Sequence, residues 1–301
     1  MRHGIVEGME TNAVQVRNLR KTYDSRSVLD GVSFDIERGE TFALLGPNGA
    51  GKSTTVEILE GYRRRTDGEV SVLGVDPEHG DLAWKARLGI VLQTCGQSGL
   101  LTVREQLKQY AGFYPDARDV DEVIAAVGLE AQAKMRTSKL SGGQQRRVDV
   151  AMGIIGRPEL LFLDEPTTGF DPEARREFWD LIRRLKAEGT TILLTTHYLD
   201  EAAQLADRVA VIADGRLQAL GPVDTFGGPE ARVPVVGWYE DGVQREERSH
   251  TPLALVGELS ARLGGEPDRL EIVRPSLEDI YLDMVARASN AAAELAKETV
   301  R

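Results

Sequence analysis

At 301 residues, 41% hydrophobic and 28% charged, the chain allows one large domain with a smaller appendage, and its composition excludes wholesale disorder. Its 48 acidic and 37 basic residues give a net charge of −11, without the global basic footprint of a nucleic-acid binder. The single cysteine, Cys95, excludes an internal disulfide framework, and no run of about 18 apolar residues is present to span a membrane.

Met1 to Val16 hold no apolar secretory core, so the expectation is a protein of the cytoplasm. Five short apolar runs follow along the chain, at 41–45, 89–92, 160–163, 191–195 and 208–212. Each is of strand length and continuous rather than alternating. That pattern suits strands buried on both faces of a mostly parallel, helix-covered sheet. A glycine-rich segment and a helix from Ser53 to Leu59 follow the first run. Arg63, Arg64 and Arg65 read as a solvated turn. From about 97 to 156 the chain reads as a helical insertion, with the capping-box pair Thr102 and Glu105 near its start. Tyr110, Phe113 and Tyr114 within it read as core, with a contact patch as the second reading. Phe178, Leu181, Ile182 and Leu185 form one apolar stripe, which predicts a helix ending near Gly189.

Residues 221–230, rich in Gly and Pro, mark a boundary. Beyond it, Asp241-Gly242 predicts a two-residue hairpin between strands at 235–240 and 243–248. A helix over 252–263, a strand over 270–273 and a last helix capped by Ser276 complete a small α+β appendage. The stripe of that last helix is Leu277, Ile280, Tyr281, Met284, Val285 and Ala288.

Three segments carry chemistry. Gly46, Pro47, Asn48, Gly49, Ala50, Gly51, Lys52 and Ser53 fit G-x-x-x-x-G-K-[ST], directly after a strand and at the opening of a helix, with Thr54 next in the same turn. Glycines there let backbone N–H groups curl around phosphate oxygens, and the helix start adds the positive end of its dipole. Lys52 would reach the β- and γ-phosphates, and the Ser53 hydroxyl would ligate Mg²⁺. The run 160–163 ends in Asp164 and Glu165, at the strand end where open α/β sheets bind ligands. Asp164 suits Mg²⁺ and Glu165 suits polarisation of an attacking water. Ser141, Gly142, Gly143 and Gln144 form a turn at a helix start, a second anion site. Taken alone, that turn would be an N-cap and nothing more.

Together these residues resemble the ATP-binding cassette family of transport ATPases. Leu140-Ser-Gly-Gly-Gln144 matches that family's signature motif, beside the P-loop and Leu163-Asp-Glu-Pro166. The resemblance is dense over about 14–222. It continues over Ser276-Leu-Glu-Asp-Ile-Tyr-Leu282, which looks like the C-terminal segment of daunorubicin-resistance-type efflux ATPases. It implies an α/β fold: a RecA-like P-loop NTPase core, an N-terminal antiparallel β subdomain, a helical insertion at about 97–156 and an accessory domain at 230–301. It implies that Tyr23 stacks on adenine, although a strand-edge tyrosine would look the same. It implies that Gln93 touches Mg²⁺ and the attacking water, that Asp171 communicates across a dimer and that His197 contacts the γ-phosphate. Phe170 stands where the family usually has Leu. His3, His79 and His250 read as surface residues.

The activity implied is hydrolysis of ATP with Mg²⁺ in a head-to-tail homodimer. One subunit's P-loop and the other's Ser141 to Gln144 would sandwich each ATP. The dimer would sit peripherally on the cytoplasmic face of the cell membrane and drive export through a separate ABC-2-type permease chain, with no nucleic acid as partner. A drug-like, antibiotic or lipid-like cargo rests on the resemblance alone. Two rivals remain. One is a soluble cassette ATPase acting on ribosomes or DNA, against which stand the acidic charge and the single cassette. The other is a small-molecule kinase, in which the 140–144 motif has no job.

Overall fold

The computed structural model describes residues 11–92 and 99–284. His3, Gln93 and Cys95, and at the other end Val285 and Ala288, lie outside the described residues. Contacts divide the chain into two units, residues 1–220 and 221–301.

The first unit opens with β1 (Asn12–Tyr23) and β2 (Arg26–Glu37), which pair antiparallel. With β4 (Asp67–Val72) they form a three-stranded sheet in the order β2-β1-β4. Val14, Val16, Leu19, Leu29, Val32, Phe34 and Ile36 supply its buried side chains. The Phe34 ring stacks on Phe42 at 5.3 Å and joins this sheet to the core strand β3 (Thr41–Leu45).

The central sheet has six strands in the order β5-β6-β7-β3-β8-β9. They are β3, β5 (Leu88–Val91), β6 (Leu160–Asp164), β7 (Thr191–Thr195), β8 (Arg208–Ala213) and β9 (Arg216–Pro222). The pairs β5–β6, β6–β7, β7–β3 and β3–β8 are all parallel. Every residue of β3 and β7 is buried. The reason lies in the alternation of strand side chains between two covered faces. Leu161, Leu163, Ile192 and Leu194 face a core shared with the helical insertion, while Leu160, Phe162 and Leu193 face a core shared with the antiparallel sheet. The strand β5 is shifted by one residue from the apolar run 89–92: it starts at Leu88 and stops at Val91, and Leu92 is exposed.

Helices α1 (Lys52–Leu59), α2 (Leu82–Lys85), α3 (Val103–Ala111), α4 (Val120–Ala126), α5 (Gly142–Ile154), α6 (Pro172–Ala187) and α7 (Leu199–Leu205) complete this unit. Thr102 and Glu105 close the expected capping box on α3. The stripe Phe178, Leu181, Ile182 and Leu185 of α6 is buried. Each such side chain removed from water stabilises the fold by roughly 1.5–3 kcal/mol. Phe113 departs from the core expectation, since it is 70% exposed and only stacks edge-on against Tyr110. Tyr114, by contrast, packs on the core. The arginine turn also differs from a solvated run. Arg65 donates to Gly68 O at 2.8 Å and holds Asp76 through two bonds, of 2.9 and 2.6 Å. Arg63 pairs with Glu57, and Arg64 alone is exposed.

In the second unit α8 (Gly228–Ala231) precedes a sheet in the order β11-β10-β12. Its strands are β10 (Val235–Glu240), β11 (Val243–Arg248) and β12 (Asp268–Val273). Asp241 and Gly242 both have positive φ, 53° and 77°, as a type I′ hairpin turn requires. Helix α9 (Pro252–Leu263) covers one sheet face through Leu255, Val256 and Leu259 against Val236 and Trp238. Ser276 and Asp279 cap a helical segment at 277–284, in which Leu277 and Ile280 are buried. His79 and His250 are exposed as expected. Among the described residues no helix is long and apolar enough to cross a membrane.

Candidate functional site

The parallel register places the site. Asp164 at the end of β6 pairs with Thr195 of β7, and Thr195 also pairs with Leu44 of β3. The carboxyl ends of these three strands therefore lie side by side, and the chain after each turns into one cleft. That cleft has a volume of about 670 Å³ and is lined by Arg26, Val28, Asn48, Gly49, Gly51, Lys52, Ser53, Thr54, Asp164, Glu165 and His197.

The loop after β3 needs glycine at two places. A Cβ on Gly46 (φ +154°) would lie 2.1 Å from Ile212 O, and one on Gly51 (φ +107°) would lie 2.5 Å from Leu29 Cδ2. Gly51 caps α1 without a side chain, so the first-turn N–H groups stay available to an anion. Lys52 Nζ donates to Gly46 O at 2.7 Å and to Pro47 O at 3.2 Å. Burial lowers the Lys52 pKa, while Glu165 and Asp164 pull it back up. Ala50 is buried within the loop, where its N–H bonds Pro47 O at 3.2 Å.

Across the cleft, Thr195 Oγ1 donates to Asp164 Oδ1 and fixes that carboxylate at the strand end. His197 Nδ1 lies 3.2 Å from Glu165 Oε1. Thr168 Oγ1 donates to Glu165 Oε2 at 3.5 Å. Glu165 sits at φ +47°, in the left-handed region. The structure thus gathers Lys52, Ser53, Thr54, Asp164, Glu165 and His197 from three separate segments.

Asn48, Gly49 and Gly51 line the same cleft, whereas Tyr23, Ser141 to Gln144 and Asp171 are not among its lining residues. Ser141 and Gln144 form a capping box at the start of α5: Ser141 Oγ accepts from Gln144 N at 3.3 Å and Gln144 Oε1 accepts from Ser141 N at 3.0 Å. Gly142 faces open space. Asp171 caps α6 and accepts from Ala174 N at 2.8 Å. Tyr23 is 36% exposed, with Lys21 Nζ at 4.8 Å and Arg63 Cζ at 5.3 Å from its ring centre. Four residues were missed by sequence reasoning. Arg26 and Thr195 had no motif to mark them. Arg146 is buried and bonds backbone around Asp164 to Pro166, yet its neighbour Arg147 is an ordinary partner of Glu177. Glu60, just past α1, is buried, and its pKa is pushed up to about 8 by that burial and by the like charges of Asp164 and Glu57.

The family model for the ABC transporter matches residues 29–168. A Nod factor export ATP-binding protein I of Neorhizobium galegae is 36% identical, over 92% of this chain and 86% of its own length. The chain belongs to the ABC transporter family. A second Nod factor export ATP-binding protein I, from Burkholderia orbicola (strain AU 1054), is 35% identical over 93% of this chain and 99% of its own. In fold, this ABC ATPase is similar to an ATP-binding subunit of an ABC transporter, with a TM-score of 0.69, 24% identity and coverage of 91% and 99% of the two chains. It is also similar to a dimeric ATP-binding cassette in a post-hydrolysis state with ADP and Pi, with a TM-score of 0.64, 26% identity and coverage of 69% and 98%. Membership brings ATP binding and ATP hydrolysis with it.

Proposed function

We propose that this ABC ATPase works as a head-to-tail homodimer on the cytoplasmic face of the membrane. It would drive export through a separate permease chain of the ABC-2 type. The observation that carries this reading is the division of polar apparatus within one chain. Lys52, Asp164, Glu165 and His197 converge on the cleft, whereas Ser141 to Gln144 present an anion-binding helix start outside it. A second copy's Ser141 to Gln144 would complete each ATP site. Residues 14–222 form the nucleotide-binding domain in this reading, and 230–301 an accessory domain.

Each residue has a task that follows from its place. Backbone N–H groups of Gly49 to Ser53 hold the phosphates, and Lys52 exchanges its loop carbonyls for phosphate oxygens. Glu165 accepts a hydrogen bond from the attacking water and aligns it behind the γ-phosphorus. His197, within 3.2 Å of Glu165, donates to a γ-phosphate oxygen. Tyr23 stacks on the base, Gln93 contacts the water, and Asp171 signals to the second copy. The Ser53 hydroxyl and the Thr195-bonded Asp164 carboxylate are hard oxygen donors of the kind Mg²⁺ takes, with Gln93 as a further ligand. Mg²⁺ would neutralise charge on the β- and γ-phosphate oxygens.

The cargo class comes from the relatives, which are named for export of Nod factors. We extend this to an amphiphilic, lipid-like or drug-like molecule, recognised by the permease. Glu165→Gln tests the chemistry: phosphate release should fall to a small residue while MgATP binding and ATP-dependent dimers persist. Near-normal turnover in that variant would remove Glu165 from the mechanism. Co-purification of the wild-type chain with ribosomes or DNA, in place of a multi-spanning membrane protein, would overturn the transport reading.

A further inference from the structure

Glu165 is held in a backbone conformation that side-chain-bearing residues seldom adopt, at φ +47°. In an extended strand, successive carbonyls point to opposite sides. Here they do not. Asp164 O, Glu165 O and Pro166 O all turn toward the guanidinium of Arg146. Arg146 Nη2 donates to Asp164 O at 2.6 Å and to Glu165 O at 3.3 Å, and Nε donates to Pro166 O at 3.1 Å. Its Nη1 donates to Leu92 O, just past β5. Arg146 is 6% exposed and stands on α5, one turn beyond the Ser141–Gln144 capping box. A planar fork with five fixed N–H donors can gather carbonyls in this way, and a lysine ammonium cannot.

We propose that Arg146 is a positioning residue for ATP hydrolysis. By gathering the three carbonyls it holds Glu165 in the left-handed turn that aims its carboxylate at His197, and through Leu92 it ties that turn to the chain leaving β5. Helix α5 therefore carries two devices on one rigid rod: the anion-binding start at Ser141 and the clamp at Arg146. A displacement of α5 reaches the Glu165 turn directly. The inference rests on the reading of Glu165 as the carboxylate that orients the attacking water.

The test uses Arg146→Lys and Arg146→Ala in the full chain, each alone and combined with Glu165→Gln. Turnover, nucleotide affinity and melting are measured for all. Arg146→Lys should lower kcat by roughly 10- to 100-fold, the effect of displacing a reacting group by about 1 Å, with nucleotide affinity changed by less than about twofold. In the Glu165→Gln background the same substitution should change the residual rate by less than about twofold, because the group being aimed is already gone. Guanidinium added to Arg146→Ala should restore part of the rate, and ammonium at equal concentration should not. A merely structural role would lower the residual rate of Glu165→Gln as much as it lowers the parent rate. That additive result, a kcat for Arg146→Lys within about twofold of the parent, or equal rescue by ammonium and guanidinium would each overturn the proposal. Near-normal turnover by Glu165→Gln alone is a separate reading, and it would overturn the role of Glu165 itself.

Discussion

Replacing Glu60 by glutamine should change how the stability of the fold depends on pH. Glu60 is 7% exposed, and burial is the largest cause of its raised pKa, from an ordinary 4.5 to about 8. Unfolded, the group loses its proton near pH 4.5; folded, it keeps the proton to about pH 8. Between those values the folded chain binds the extra proton, so its stability falls as pH rises. At about 1.4 kcal/mol per pH unit, the loss is about 3 kcal/mol at pH 7 and levels off near 5 kcal/mol above pH 8. Glu60→Gln keeps the shape and removes the titration. Urea unfolding at pH 5, 7 and 8.5 gives the comparison. The two chains should be nearly equal at pH 5, and the variant should gain by several kcal/mol at pH 8.5. Taking the difference between the chains removes the other titrating groups. Parallel curves across that range would refute the idea that a neutral carboxyl is buried close to Asp164.

Three further outcomes follow from geometry. Arg65→Ala should cost about 1–3 kcal/mol in unfolding free energy, since it removes a half-buried fork from Asp76 and Gly68, while Arg64→Ala should stay within about 0.5 kcal/mol. Gly46→Ala should abolish ATP binding as read by fluorescent-nucleotide titration, because its Cβ would meet Ile212 O at 2.1 Å, a contact with backbone that has no room to move. Ser141→Ala and Thr102→Ala should each cost about 0.5–2 kcal/mol through lost capping, but only Ser141→Ala should weaken ATP-dependent dimerisation in sedimentation velocity.

What could be read from the sequence was what is local. The strand–loop–helix around Lys52 and the Asp241-Gly242 hairpin are set by neighbours within a few residues. The stripe on α6 has a period of its own, and the continuous apolar runs announced strands covered on both faces. Long-range pairing was invisible. Arg146 and Arg147 are adjacent and chemically equal in the sequence. One turns inward to carbonyls 18 to 54 residues away, and the other turns out to Glu177. Arg65 looked solvated because Asp76, its partner, lies 11 residues further on. Phe113 is apolar by composition, yet just past the C-terminus of α3 it is the next residue, Tyr114, that packs on the core, while Phe113 is exposed. The charge state of Glu60 depends on burial, and no local pattern encodes that.

The alignment of β6 with β7 reaches beyond the strands themselves. The ladder begins at Leu160 opposite Thr191 and delivers Asp164 opposite Thr195 about 13 Å further on, at roughly 3.3 Å per residue. The turn that feeds β7 lies at the far end, with Gly189 at φ +94° and Thr191 N bonded to Glu159 O at 2.9 Å. One residue inserted there would slide β7 along its neighbour and turn Thr195 away from Asp164, far from any nucleotide. The turn at 188–190, exposed at Glu188 and Gly189, should therefore be as intolerant of length change as the cleft is of substitution. The hairpin tip at Asp241-Gly242, equally exposed, aligns only its own two strands and should accept insertions that leave hydrolysis untouched.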